Sequence, residues 1–132
     1  MQVHVLRLVP GEDLRPALLQ KLRELEMDAA CVLSAVGSFS QAVLRYADAA
    51  EGMVIEGPLE LVTLAGTLSP DGAHLHASVS DAQGQVRGGH VMPGCIVRTT
   101  AEIVLALLPE WEFRRVPDPA TGYPELVARR GN

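Results

Sequence analysis

The amino-acid sequence predicts a single α+β domain, a mostly antiparallel β-sheet with one main helix near the N-terminus. Three observations carry this prediction. Only one stretch, residues 13 to 27, repeats its leucines at helical spacing. After it the chain divides into short alternating or β-branched segments separated by Gly, Pro, Ser and Asp. At 132 residues there is material for one core, so the domain spans 1–132.

Val3 to Val9 reads as a first strand, rich in β-branched residues and closed by Pro10-Gly11. Asp13 is placed to cap the helix, with Pro16 acceptable in its first turn. Leu14, Leu18, Leu22 and Leu25 form the apolar stripe, while Lys21, Arg23, Glu24 and Glu26 take the other side. Short strands follow at Ala30 to Val36 (ending at Gly37-Ser38), Gln41 to Tyr46, Met53 to Glu56 (ending at Gly57-Pro58) and Glu60 to Leu68. Ala73 to Ser80 and Gln85 to Met92 are the next two. Ile96 to Leu108 reads as strand where Ile and Val cluster, although its Ala and Leu content also suits a helix. Trp111 to Val116 alternates in part, and the tail from Pro117 reads as turns. The count is about seven or eight short strands.

The 48% hydrophobic content excludes a disordered chain, and only 4% aromatics leaves the core to Leu, Val, Ala and Ile. Sixteen acidic residues against eleven basic ones give a net charge of −5. A surface that grips nucleic acid phosphates needs a basic patch, and the tight basic pairs here are only Arg114-Arg115 and Arg129-Arg130. Nucleic acid is thus a disfavoured partner. No signal peptide is expected at the N-terminus, no apolar run reaches the roughly 20 residues of a membrane span, and a membrane partner is not expected. Cys31 and Cys95 form no CxxC pair and read as reduced thiols, which points to the cytoplasm.

Three of the four histidines fall within seventeen residues, at His74, His76 and His90. His-x-His at period 2 puts two imidazoles on one face of a strand. A glycine-bearing turn then separates them from Gly88-Gly89-His90, so a hairpin could bring all three together. A strict two-residue loop at Ala82-Gln83 would set His90 opposite Leu75 and turn it away. Convergence needs an odd-length loop or a one-residue bulge, and glycine makes a bulge inexpensive. Three neutral imidazoles with a fourth position open suit zinc or another divalent transition metal. The competing reading is a solvated or subunit-contact face. His4 stands apart in the first strand and reads as structural.

These segments together resemble the plants-and-prokaryotes conserved domain family, written PPC or PCC. The resemblance runs through Arg7 to Asp13, Val36-Gly37-Ser38, Glu60 to Leu68, the histidine segment and Thr100 to Val104. It implies a curved antiparallel sheet, a homotrimer, and a metal ion such as zinc on His74, His76 and His90. In plants this domain follows AT-hook segments in nuclear regulators, and prokaryotic members often carry a DNA-binding label. This sequence shows no Arg-Gly-Arg-Pro segment and no basic arm to carry a minor-groove contact.

Two function classes follow: a metal-dependent or small-ligand-binding protein, possible as an enzyme, and a DNA-linked regulator. For the first, Glu60 and Glu102 are candidates to orient an imidazole or act as a base. Arg7, a charge between Leu6 and Leu8, reads either as the partner of Glu60 or Glu102 or as an anion-binding group. Cys95 reads as a buried, inert thiol. No Ser-His-Asp arrangement, P-loop or dinucleotide fingerprint is recognisable.

Overall fold

A computed structural model describes residues 1–131. Eight strands and one helix follow in the order β1 (Gln2–Leu8), α1 (Leu14–Glu24), β2 (Ala30–Arg45), β3 (Met53–Ser69), β4 (Gly72–Ser80), β5 (Val86–Val91), β6 (Ile96–Leu107), β7 (Trp111–Pro117) and β8 (Pro124–Arg130). This is the expected α+β class. Six strands form one sheet in the order β1-β6-β2-β3-β4-β5, and every pairing is antiparallel. The sheet curls until β5 reaches back to the far end of β2, where Leu44 pairs with Val91 and Arg45 with His90.

Local sequence explains the helix and its early end. Leu14, Leu18 and Leu22 are fully buried against the sheet, which is the burial that the apolar stripe requires. The helix stops at Glu24, short of the expected residue 27, because Glu26 turns left-handed at φ 53°. Asp13 occupies the N-cap position, yet its carboxylate does not cap the helix. It accepts the Gly94 N–H at 2.9 Å instead and ties the helix start to the β5–β6 turn.

Two expected breaks are absent. The segments on either side of Gly37-Ser38 are one sixteen-residue strand, and those flanking Gly57-Pro58 are one of seventeen. Gly37 is needed for closeness and not for a turn: a Cβ there would strike Thr100 and Ala101 of β6. The irregularity that sequence placed between strands survives as register shifts around Phe39. Ile96–Leu107 is strand throughout. The tail is a further correction, since Pro124–Arg130 pairs with β7 in a separate two-stranded sheet. That hairpin is pinned near the β3–β4 turn by the Arg115 N–H, which donates to the Asp71 carboxylate at 2.9 Å.

The core lies inside the curl and beneath the helix, with Phe39 of β2 at its centre and no part of it exposed. Replacing it with alanine removes the whole phenyl ring from a close-packed interior. Phe39→Ala should therefore cost about 3–5 kcal/mol in urea denaturation. A loss under about 1 kcal/mol would contradict this placement of the core.

Candidate metal centre

The histidine site begins with the pairing of β4 and β5. Ser80 pairs with Val86, so the loop holds the five residues Asp81 to Gln85. An odd count sets His76 opposite His90. The loop is self-bonded: the Asp81 carboxylate accepts the Gln83 and Gln85 N–H groups, each at 2.9 Å, and Gly84 takes φ 79°. Of the two ways to convergence, the odd loop is the one present.

Alternation then sorts the strand. Leu75, Ala77 and Val79 enter the core, while His74 and His76 stand on the outer face. His90 joins them, half-buried, with Val91 behind it in the core. The ring centroids lie 5.1 Å apart for His74–His76, 5.6 Å for His74–His90 and 4.6 Å for His76–His90. One nitrogen from each ring falls within 4.8 Å of the others.

Glycine lets the strands come this close. A Cβ on Gly89 would meet the Arg45 carbonyl oxygen at 2.7 Å, so a larger residue would push β5 away from β2. Gly66 does the same for β4, since its Cβ would fall on the His74 carbonyl. The glycines serve close backbone approach, where the sequence had also allowed a bulge.

Burial and positive neighbours both hold two of the imidazoles neutral. Partial desolvation lowers His74 below its ordinary value of 6.5, with Arg115 and His76 adding repulsion. Desolvation also lowers His90, followed by Arg45, His76 and His74. Neutral imidazole is the ligating form. The donor set contains three nitrogens and no carboxylate or thiolate, which fits tetrahedral zinc and not calcium or magnesium.

Sequence reasoning named two further candidate bases, and within the subunit neither joins this cluster. Glu60 pairs with Ser80 and Ser38, and Glu102 lies on β6 opposite Arg7 and Val36. Arg7 is exposed and donates through Nε to Thr100 Oγ1 at 3.0 Å, with no ion pair to Glu60 or Glu102 among the described residues. Both cysteines are free; Cys95 is buried, its thiol pushed up to about 11 by desolvation, which suits an inert role. His4 sits on β1, at the opposite end of the sheet from β5.

Other residues at the site were missed. A cleft of about 950 Å³ opens beside His74 and His90, and Arg15, Arg45 and Arg115 line it. They come from α1, β2 and β7, and no sequence pattern links them. The alternation of apolar and basic residues in Trp111 to Val116 was the one local signal for Arg115.

Fold and site together define a class: a small, curled antiparallel domain that presents three imidazoles beside an arginine-lined cleft. The chain belongs to the Plants and Prokaryotes Conserved (PCC) domain family, whose profile matches residues 1–109. It is 54% identical over 126 residues to the bifunctional protein GlmU of Synechococcus sp. strain JA-3-3Ab, covering 96% of this chain and 20% of that relative. The chain thus spans about a fifth of that protein's length. Among solved structures it resembles a hypothetical protein from Salmonella cholerae-suis, with TM-score 0.95 and 39% identity over 98% of this chain and 94% of that one. It also resembles a metal-containing protein from Archaeoglobus fulgidus, with TM-score 0.80 and 30% identity over 96% and 94%.

The depressed imidazoles give a direct check. In the metal-free chain, the His74 and His90 ring resonances should titrate below pH 6.5 by NMR. Protonation of either at or above 6.5 would contradict the desolvation and repulsion described here.

Proposed function

We propose that this PCC domain binds one divalent transition metal ion per subunit, zinc most readily, and acts as a homotrimer in the cytoplasm. His74, His76 and His90 hold the ion and leave a position for a small ligand. The observation that carries this reading is the cross-strand pairing of His76 with His90, with a nitrogen of His74 within 4.8 Å of both. The Archaeoglobus fulgidus relative, described as metal-containing, supports it. When bound, such an ion supplies Lewis acidity to a ligand oxygen at its open position. The chain's own burial and positive neighbours favour the neutral form of His74 and His90, and its arginines shape the cleft beside them. The free thiols support the compartment. A net charge of −5, with Glu60 and Glu102 exposed on the outer face, weighs against a surface that grips DNA phosphates.

Support for self-association comes from the same outer face. Val3 and Val5 of β1, Val36 of β2 and Val62 of β3 are all exposed. Gly37 pairs with Leu61, which sets Val36 and Val62 beside each other. Exposed valines on neighbouring strands are costly in water and favour a partner copy.

Elemental analysis of untagged protein tests the metal reading. One equivalent of zinc per chain is expected after loading, and His76→Ala should bind it at least about tenfold more weakly. Equal zinc in both proteins, or none in either, would overturn it. Light scattering tests the assembly: a mass three times that of the chain is expected, falling in Val36→Glu. A wild-type monomer would overturn the trimer.

A further inference from the structure

The cleft beside the histidines has a feature that metal binding alone does not use. Each of its three arginines is fixed within one residue step of the imidazoles. Arg45 pairs directly with His90 across β2 and β5, and its guanidinium donates to the Ala49 carbonyl at 3.2 Å. Arg115 donates to Thr67 Oγ1 at 3.0 Å, and Thr67 is the cross-strand partner of His74. Arg15 donates to the carbonyl of Ala73, the neighbour of His74, at 3.1 Å. All three side chains are half-buried.

Their partners are neutral. The ion pairs among the described residues engage Glu110, Glu24, Asp28 and Glu112, and none of these three arginines. A guanidinium carries five N–H donors in a planar fork that matches a carboxylate or a phosphate, and each of these has most of its fork free. Asp48, Asp71 and Glu125 also line the cleft. Asp71 is engaged by the Arg115 backbone N–H, so its role is to hold the β7–β8 hairpin in place. Three guanidinium groups then balance three carboxylates. A divalent ion on the imidazoles would leave two positive charges uncompensated in a partly desolvated cleft, and that excess selects an anion.

We infer that the cleft is an oxyanion subsite for a small organic ligand carrying a carboxylate or a phosphate. Its anionic group rests on Arg45 and Arg115, with Arg15 at the edge, and a second donor atom reaches the metal's open position. The inference rests on the metal reading for that second contact. The arginine subsite itself stands on the placement of Arg15, Arg45 and Arg115.

Calorimetric titration of the zinc-loaded, dialysed full-length chain with inorganic phosphate and separately with succinate tests this. Binding of either probe is expected, and the one that binds narrows the class to phosphoryl or carboxylate ligands. Arg45→Gln and Arg115→Gln should each weaken it at least about tenfold while zinc content and circular dichroism stay unchanged. Arg129→Gln, on β8 and away from the cleft, should leave affinity unchanged. Zinc-loaded protein that binds neither probe, or binds equally well in both cleft variants, would overturn the subsite and leave the metal reading intact. If the chain takes up no zinc, the metal reading fails. The same titrations on metal-free protein then decide the subsite: a tenfold loss in the two variants supports it, and no such dependence overturns it.

Discussion

Whether three imidazoles can meet on this molecule depends on one integer, the number of residues between the paired ends of β4 and β5. Because side chains alternate faces along a strand, shifting the register by one residue would send His90 through the sheet. It would also bring Val91 out of the core, so the same register is held by burial. Five residues, Asp81 to Gln85, satisfy both demands at once. The Asp81 carboxylate bonds back to the loop's own N–H groups and favours that length over its neighbours. Site geometry and core stability are thus one constraint in this hairpin.

A second constraint acts at right angles to the first. The sheet must curl far enough for β5 to reach β2, and that brings Arg45 beside His90. Gly89 makes the approach possible by having no side chain to place against the Arg45 carbonyl. Curling also gives the cleft its walls, one from β2, one from α1 and one from the β7–β8 hairpin. Desolvation first, and then the positive charge gathered there, favours the neutral form of His74 and His90, and that charge remains available to an anion. Arg45 and Arg115 take part in both effects.

The parts of this molecule that were legible in the sequence are those set by short-range patterns. Leucines at helical spacing located α1, β-branched content located β1, turn residues on either side set off β4 and β5, and partial alternation located β7. That His74, His76 and His90 can meet only across an odd-length loop or a one-residue bulge follows from strand geometry alone. What was illegible depends on partners distant in the chain. Gly37 and Gly57 read as punctuation because glycine and proline usually end strands, yet β2 is paired with β3 and β6 on either side at Gly37, and β3 stays paired with β2 before and after Gly57. Residues 124–130 read as turn because Pro119, Gly122 and Pro124 precede or open the segment, and only β7 makes it a strand. Arg15, Arg45 and Arg115 lie far apart in sequence and meet only when α1, β2 and β7 are folded around one cleft. Glu60 and Glu102 matched family segments, but a position in a motif does not carry a distance, and both sit on other parts of the sheet.

The central claim is that three imidazoles from one hairpin form a single metal-binding set. X-ray absorption at the zinc edge of the loaded chain measures that coordination directly. Three imidazole nitrogens at about 2.0–2.1 Å with one oxygen ligand completing the shell is the predicted result. A shell made only of oxygen ligands, or one with a single imidazole, would contradict the account.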